Sequence, residues 1–211
     1  MEAVGLNQVA PSEFEDWTRL EQDLESGIKL VPLTQNHTNA LISAFTDDSS
    51  SVRIAMPWLD SSLSIEFQIS TFIVDVTSGP NSNHYHHWVL IDTDTDEIVG
   101  LIGFDVVRFR TVERKSLSRG IHWNLGYWIA PDYRRRGLAS DSIDIMINIA
   151  AKCGVDVVQL SANPLNVGGI ITIRSAVQRH GGINSEFGVE LIEDNEGNMV
   201  EYEAYWILTG E

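Results

Sequence analysis

Residues 126–139 have the sequence Gly126-Tyr127-Trp128-Ile129-Ala130-Pro131-Asp132-Tyr133-Arg134-Arg135-Arg136-Gly137-Leu138-Ala139. The aromatic and branched residues before Pro131 predict a central strand that stops at the proline. Residues 138–152 predict a helix, because apolar residues recur on one helical face, at Ala139, Ile143, Met146, Ile147 and Ala150. A basic turn therefore connects a strand directly to a helix.

The turn at residues 134–137 has the chemistry of an anion-binding site. The first N–H groups of a helix have no partner inside the helix and carry partial positive charge. Gly137 allows a ligand to approach the backbone closely, and the three arginines add donors for phosphate oxygens. Surface arginines at such turns are often only solvated, but this turn falls in the middle of the element order, where open α/β sheets bind ligands. The sequence therefore predicts a phosphate site.

Hydrophobic patterns on both sides of this segment predict the other elements of a mixed sheet. Before it they indicate a strand at residues 28–33, a helix capped by Thr34, a second helix that follows Asp60 and ends at Gly79, and a hairpin of residues 87–92 and 97–107. After it they indicate a strand at 156–161, a helix that ends before Gly181, and strands at 183–190 and 200–208. This order predicts an α/β (α+β) fold with helices on the faces of the sheet.

We divide the chain into an acidic N-terminal extension, residues 1–27, and a single domain, residues 28–211. In the extension, Ser12-Glu13-Phe14-Glu15 has the spacing of a capping box, and Trp17, Leu20 and Leu24 follow at roughly helical intervals. This pattern predicts a helix whose apolar face covers either the core or a partner subunit.

Composition restricts the classes of function. The formal net charge of -16 argues against general nucleic-acid binding, which needs clustered Lys and Arg, and would attract a cationic amine. No apolar run approaches the roughly 20 residues that cross a bilayer, and the N-terminus lacks the pattern of a secretory signal. Cys153 is the single cysteine, which suits a reducing compartment. We therefore expect a cytoplasmic protein without nucleic-acid or membrane partners.

The segment at residues 126–139 resembles the acetyl-CoA signature of the GNAT acetyltransferases. In that signature an Arg or Gln is followed by two free positions, a Gly, one free position and a Gly or Ala, and Arg134, Gly137 and Ala139 match it. The branch of the ribosomal-protein alanine N-acetyltransferases (RimJ/RimL-like) is further suggested by residues 126–131, 30–33, 56–58 and 98–103. The resemblance spans about residues 29–208. It implies a GNAT-like mixed, mostly antiparallel central sheet with helices on both faces.

The resemblance implies an activity and a cofactor site. The activity is transfer of acetyl from acetyl-CoA to a primary amine, either a protein N-terminal α-amine or a small-molecule amine, by direct attack in a ternary complex. The turn would hold the pyrophosphate, the strand would pair with the pantetheine arm, and the backbone N–H of Ile129 would bond the thioester carbonyl, stabilising charge that develops there. The implied cofactor-binding residues are Tyr127, Trp128, Ile129, Arg134, Arg135, Arg136, Gly137, Leu138, Ala139 and Asn166.

The sequence offers several candidates for the catalytic residues. Close relatives have Gly where this chain has Arg135, and the family's asparagine is matched by Asn166, but the serine usual three residues later is Gly169. No tyrosine occurs between Arg134 and Gly181, so Ser175 or a bound water is the candidate proton donor to the thiolate, and Asn166 is a catalytic candidate as the match to the family's asparagine. An ammonium also needs a base. The candidates are Glu66, His122, and Asn124 holding a water.

Other functions are kept as alternatives. The missing serine and tyrosine are compatible with a non-catalytic acyl-CoA-binding or regulatory module, and the acidic extension with a protein-interaction subunit; a homodimer is a further expectation. The run His84-Tyr85-His86-His87 has no accompanying acidic or cysteine ligand pattern, so no metal site is predicted, and the run is interpreted as a loop lining the acceptor pocket. A basic loop is predicted at residues 108–120.

Overall fold

The strands form one continuous sheet. The computed structural model describes residues 17–24, 27–80, 82, 85–105, 121–181, 183–193 and 198–209. Within these ranges the strands are β1 (Gln22–Asp23), β2 (Ile28–Pro32), β3 (Tyr85–Asp92), β4 (Ile98–Asp105), β5 (His122–Ile129), β6 (Val157–Ala162), β7 (Ile183–Glu193) and β8 (Met199–Leu208). Their spatial order is β1-β2-β3-β4-β5-β6-β8-β7. The β5–β6 pair is parallel and the other described pairs are antiparallel. The predicted mixed, mostly antiparallel sheet is confirmed.

Helices cover both faces of the sheet. They are α1 (Thr38–Asp47), α2 (Ser49–Ala55), α3 (Ile65–Ser78), α4 (Leu138–Lys152) and α5 (Val167–His180). The first three pack over one face, around Leu41, Phe45, Ile69, Ile73 and Trp128. The last two pack over the other face, around Trp88, Leu125, Ile129, Ile143 and Met146. Since side chains alternate along a strand, β5 contributes to both cores.

Two predictions differ from the structure. Among the described residues between β2 and β3, three helices occur where two were predicted: α2 was missed because its sequence, Ser-Ser-Ser-Val-Arg-Ile-Ala, buries Val52 alone. The predicted N-terminal helix is wrong for residues 17–24, which form a 3-10 turn at Trp17–Arg19 and strand β1. The capping box at residues 12–15 and the basic loop at residues 108–120 lie outside the described residues.

The end of the extension packs against the sheet instead of forming a helix. The backbone of Gln22 and Asp23 pairs with the edge of β2, so a neighbouring strand provides hydrogen-bond partners for its polar groups. The Trp17 ring lies 4.7 Å from the His86 ring and 5.2 Å from the Trp123 ring, measured between centroids. The apolar residues of this segment therefore cover the core, one of the two expected roles. Among the described residues, none of the helices has the length and apolarity of a transmembrane span.

A pair of glycines leaves an asymmetric gap on the face covered by α1–α3. Gly103 of β4 lies opposite Gly126 of β5. A Cβ atom on Gly103 would come within 2.3 Å of the His87 ring and 2.7 Å of the His86 carbonyl oxygen. A Cβ atom on Gly126 would meet nothing within 4 Å. The sheet is therefore filled above Gly103 by His87 and open above Gly126.

This asymmetry predicts opposite effects for the same substitution. Gly103→Ala is expected to lower the free energy of unfolding by about 1–3 kcal/mol, because the new methyl group meets backbone and a buried ring. Gly126→Ala, the matched control, is expected to leave it unchanged or slightly raised, since alanine loses less backbone entropy on folding. Urea unfolding monitored by fluorescence measures both. Equal stability of the two variants would contradict the close packing of His87 on Gly103.

Candidate active site

The parallel strands β5 and β6 separate part-way along their length. They pair from His122 to Asn124, opposite residues 157–159, and the ladder between them ends there. The rest of β5 stays paired with β4 as far as Ile129, and the rest of β6 stays paired with β8 as far as Ala162. Each strand thus keeps its outer neighbour while the inner edges diverge. An opening results in the middle of the sheet.

The inner edge of β5 presents backbone groups to this opening. The N–H of Ala130 donates to the carbonyl oxygen of Val99 on β4, at 2.9 Å. Because N–H groups alternate between the two edges of a strand, those of Leu125, Tyr127 and Ile129 point the other way, toward β6. The carbonyl oxygen of Ile129 on that edge accepts a hydrogen bond from Arg134 Nε at 2.8 Å. An extended ligand could pair with the remaining groups as an additional strand would.

A cavity of about 40 Å³ marks the point of separation. It is lined by Ile54, Ala55, Leu125, Gly126, Tyr127, Ser161, Ala162, Asn163, Asn166, Gly169 and Ile173. These residues come from α2, β5, β6 and the start of α5, so the cavity joins the two faces of the sheet. It borders β5 at residues 125–127 and does not extend to Ile129.

The turn at the end of β5 has a backbone geometry that suits an anion. Arg135 has φ of +60° and Gly137 has φ of +86°, both in the left-handed region. Helix α4 then starts at Leu138, and no side chain caps its first N–H groups. Left-handed residues beside an uncapped helix start form a concave set of N–H donors that suits a phosphate.

The three arginines of the turn have different surroundings. Arg134 Nη2 bonds Asp48 Oδ2 and, at 2.7 Å, Ser51 Oγ. Arg136 bonds the carbonyl oxygen of Asp132 at 2.8 Å and lies over the Tyr133 ring. Among the described residues, no partner of the Arg135 side chain is found. The guanidinium of Arg135 is therefore the one best available to a ligand. The Arg134 side chain, which was predicted to contact phosphate, instead bonds Asp48 and Ser51.

Asp48 connects the turn to the rest of the site. Its residue surface is 9% exposed, and its Oδ2 accepts hydrogen bonds from Arg134 Nη2, from Ser51 Oγ and, at 3.0 Å, from Trp128 Nε1. These donors lie on the turn, on α2 and on β5. One buried carboxylate thus fixes the corner between α1 and α2 against the end of β5. Sequence reasoning missed it, because its partners lie 80 and 86 residues away in the chain.

Comparison with known proteins identifies the family. The family model described as Acetyltransferase (GNAT) domain matches residues 28–182, most of the chain. The chain belongs to the GNAT acetyltransferase family. A search of curated proteins finds no match.

Solved structures share the fold at low sequence identity. A ribosomal-protein-S5-alanine acetyltransferase from Vibrio fischeri has a TM-score of 0.69 at 11% identity, with 90% of this chain and 97% of that chain covered. RimL, a ribosomal L7/L12 α-N-protein acetyltransferase in complex with coenzyme A, has a TM-score of 0.67 at 12% identity, with 90% and 98% covered. The microcin C7 self-immunity acetyltransferase MccE, in complex with acetyl-CoA and AMP, has a TM-score of 0.63 at 14% identity, with 87% and 93% covered.

The structure explains two departures from the GNAT pattern. Position 135 is left-handed, which glycine adopts without strain and arginine adopts at some cost, so the glycine of relatives fits the same backbone. Asn166 Oδ1 accepts the N–H of Gly169 at 2.9 Å and caps α5. A Cβ atom on Gly169 would come 2.5 Å from Asn166 Nδ2, so the asparagine occupies the space of a side chain at that position.

The predicted catalytic residues are only partly brought together. Asn166 lines the cavity, and Asn124 lies on the same face of β5 as Gly126. His122 is buried at the start of β5, two residues farther from the cavity than Asn124. Glu66 is exposed in the first turn of α3, and Ser175 is exposed on α5, where its Oγ accepts from Arg179 Nη1 at 2.8 Å. Neither of these two lines the cavity.

Two titratable side chains near the opening were not proposed from the sequence as proton carriers. The Tyr127 hydroxyl donates to the carbonyl oxygen of Gly169 at 3.2 Å, and burial raises the pKa of this phenol to about 12. Burial also raises the pKa of the Asp105 carboxyl to about 6, against a smaller lowering by a hydrogen bond from Asn124. The resemblance directs attention to a tyrosine or serine between Arg134 and Gly181, and Tyr127 precedes that segment. The alternation of β5, which aims Tyr127 at α5, was a signal that could have found it.

Within the described ranges, no three His, Cys, Asp or Glu side chains are grouped as metal ligands would be. His87 instead packs in the interior: its ring meets Phe72 edge-on at 5.0 Å between centroids, and burial lowers its pKa to about 3. His84 lies outside the described residues. The histidine run is thus partly a strand segment and not, as expected, wholly a loop.

Loss of the Asp48 carboxylate is expected to destabilise the protein. Asp48→Ala leaves the buried Trp128 N–H and the Arg134 guanidinium without their acceptor, which should lower the free energy of unfolding by about 2–3 kcal/mol. Ser51→Ala, the control, removes only one partly buried hydroxyl partner and should cost about 0.5–1 kcal/mol. Chemical unfolding distinguishes the two. Equal losses would mean that the carboxylate does not hold these segments together.

Proposed function

We propose that the protein transfers an acetyl group from acetyl-CoA to a primary amine, in a ternary complex and without a covalent acyl-enzyme intermediate. The observation that carries this proposal is the opening between β5 and β6, which leads along unpaired strand edge to the uncapped start of α4. Because the thioester of acetyl-CoA is already an activated acyl group, the amine can attack it directly and no enzyme nucleophile is needed. The one cysteine, Cys153, lies at the far end of α4, and burial raises the pKa of its thiol, which opposes a role as nucleophile.

The residues of the opening fit the chemical parts of acetyl-CoA. The N–H groups at the start of α4 and the Arg135 guanidinium suit the pyrophosphate, while the inner edge of β5 suits the amides of the pantetheine arm. The cavity borders Tyr127 and not Ile129, so the Tyr127 N–H is the better donor for the thioester carbonyl than the predicted Ile129 N–H. Arg134 acts by fixing the turn and the Ile129 carbonyl. Two similar proteins carry coenzyme A or acetyl-CoA in their structures, which supports this ligand.

The acceptor we propose is a protein N-terminal α-amine, with small-molecule amines as the alternative. Similar structures include enzymes named for ribosomal-protein alanine and for the N-terminal serine of a ribosomal protein. The net charge of -16 favours approach of a cationic group of either kind. We also propose a cytoplasmic location.

Acetyl-CoA binding tests the cofactor site with two matched glycine variants. Gly137 and Gly154 flank α4, and both have left-handed backbone, with φ of +86° and +73°. Gly137→Asp places a negative charge at the turn, at a cost on the order of 1–4 kcal/mol toward a bound phosphate, which corresponds to a Kd raised at least about fivefold. Gly154→Asp adds the same charge and similar strain at the other end of α4 and should leave Kd unchanged.

Titration calorimetry with acetyl-CoA measures both variants and the parent protein. Failure of the parent to bind acetyl-CoA would overturn the enzyme proposal. Equal weakening by both variants would show that charge or strain, and not the turn, accounts for the loss.

Turnover tests the reaction and the proton donor. We propose that the Tyr127 hydroxyl protonates the departing thiolate, since it reaches the start of α5 at Gly169, where relatives have serine, and its high pKa keeps it protonated. Release of free thiol is measured with hexapeptides that begin with alanine or serine, and with spermidine. Tyr127→Phe should lower kcat about 100-fold with little change in acetyl-CoA affinity. The same loss in Ser175→Ala would favour the sequence-based candidate instead. Tight acetyl-CoA binding without any turnover would indicate a non-catalytic module.

A further inference from the structure

Three polar side chains converge beside the open patch above Gly126. On the sheet face covered by α1–α3, Asp105 of β4 lies opposite Asn124 of β5, and His87 of β3 lies over Gly103, the partner of Gly126. Asn124 and Gly126 are two residues apart on one face of β5, a rise of about 7 Å. The carboxylate of Asp105 is therefore one side-chain row away from the cavity that Gly126 lines.

The surroundings of Asp105 suit a carboxylate that exchanges protons. Its side chain is 46% accessible, so a ligand can reach it, although the nearby protein removes enough water to disfavour its charge. Asn124 donates a hydrogen bond to it. From β3, Tyr85 lies directly opposite, and His87 Nε2 lies 3.8 Å from Oδ1, too far for a hydrogen bond. Since burial keeps His87 neutral, it does not neutralise the carboxylate.

His87 also has an unused polar atom. Its Nδ1 is buried and has no hydrogen-bond partner among the described residues. A buried polar atom without a partner is costly, and a ligand or water that supplies one recovers that cost. The His87 ring therefore has a ring nitrogen without a partner close to the Asp105 carboxylate, and the two side chains do not hydrogen-bond each other.

An aromatic row leads from the surface to this pair. The Trp58 ring stacks on Phe72, with centroids 4.9 Å apart, and Phe72 meets His87 edge-on at 5.0 Å. Trp58 is 43% exposed, so the row begins at solvent and ends beside Asp105. Aromatic faces followed by a carboxylate attract an ammonium group, by cation–π interaction and then by charge.

We propose that Asp105 is the catalytic base that removes a proton from the acceptor ammonium, and that the row Trp58, Phe72 and His87 is the wall along which the amine reaches it. This inference rests on the proposed acetyl transfer. Glu66 is exposed on α3, and His122 lies farther along β5 from the cavity, so both are placed less well for this step. Asn124 has no proton-accepting group of suitable strength, and its role is to position Asp105.

The carboxylate of Asp105 takes one proton from the ammonium and becomes a carboxylic acid, which frees the lone pair of the nitrogen. That pair forms the N–C bond to the acetyl carbon while the C–S bond breaks and its electron pair stays on sulfur. Tyr127 gives its hydroxyl proton to the thiolate, and the second proton lost by the nitrogen passes through solvent to restore that hydroxyl. Asp105 returns its proton to water, so the products are an amide, a thiol and one released proton.

The test compares Asp105→Asn with Asp75→Asn, an exposed carboxylate on α3 remote from the cavity lining. Both keep the shape of the side chain and remove one charge. With the fastest of the alanine peptide, the serine peptide and spermidine, Asp105→Asn should lower kcat by about 100-fold or more, and Asp75→Asn by less than about twofold. The Kd for acetyl-CoA, measured by calorimetry, should stay within about twofold in both variants.

A pH profile separates a base from a structural residue. Asp105 must be ionised to act, and its pKa is raised to about 6, so kcat of the parent should fall about tenfold per pH unit below that value and level off above it. Asp105→Asn should lack this step, and formate should partly restore the activity of Asp105→Ala. A parent profile without a step between pH 5 and 7 would overturn the inference, even if the variants fail to fold.

The outcomes also separate this inference from the proposed function. Normal turnover by Asp105→Asn would overturn the base assignment while acetyl transfer stands. Absence of turnover by the parent with every amine, despite acetyl-CoA binding, would overturn both the transfer reaction and the base but leave the cofactor site.

Discussion

The buried carboxylate of Asp48 holds together the three segments that make the site. A carboxylate that is 9% exposed is stable in its charged form only if donors replace the lost water, and here an indole N–H, a guanidinium and a hydroxyl do so. Each donor belongs to a different part of the chain. The requirement to satisfy one charge thus orients the end of β5, the basic turn and the start of α2 at once. Arg134 is the most affected, since its side chain completes this cluster and donates to the Ile129 carbonyl. In the proposed complex, a ligand would meet the turn mainly through backbone groups and Arg135.

Where β5 separates from β6, the two faces of β5 present different side chains to the opening. Residues that alternate toward α4 and α5 include Tyr127, whose hydroxyl reaches the start of α5. Those that alternate toward α1–α3 include Asn124 and Gly126, beside Asp105. In the proposed reaction a proton donor and a proton acceptor therefore lie on opposite faces of one strand, separated by the strand edge that would hold the thioester. Burial raises both pKa values, to about 12 for the Tyr127 phenol and to about 6 for the Asp105 carboxyl. The difference between them is the ordinary difference between a phenol and a carboxyl group.

Local pattern was sufficient to predict the element order and the basic turn, because strand alternation, helical periodicity and the Pro131 and Gly137 stops are contained in short windows. It failed for α2, whose serine-rich sequence has too few apolar positions, and for residues 17–24, whose apolar side chains fit the core better from a turn and an edge strand. Asp48 and Asp105 could not be found this way. Their importance comes from partners on other strands and helices, and an aspartate in a sequence looks the same whether it is solvated or surrounded.

An acidic protein can bind the proposed phosphate-containing ligand because its net charge and the donors of the turn act over different distances. The net charge of -16 acts at long range, where it would draw an ammonium and repel a phosphate, but salt screens it beyond about 8–10 Å. The N–H groups of the turn and the Arg135 guanidinium act within hydrogen-bond distance, where screening is weak and geometry decides. The raised pKa of Asp105 has a local cause too, because it comes from burial of the carboxyl. An overall negative field is therefore consistent with a site that binds a phosphate at one end and accepts a proton from a cation at the other.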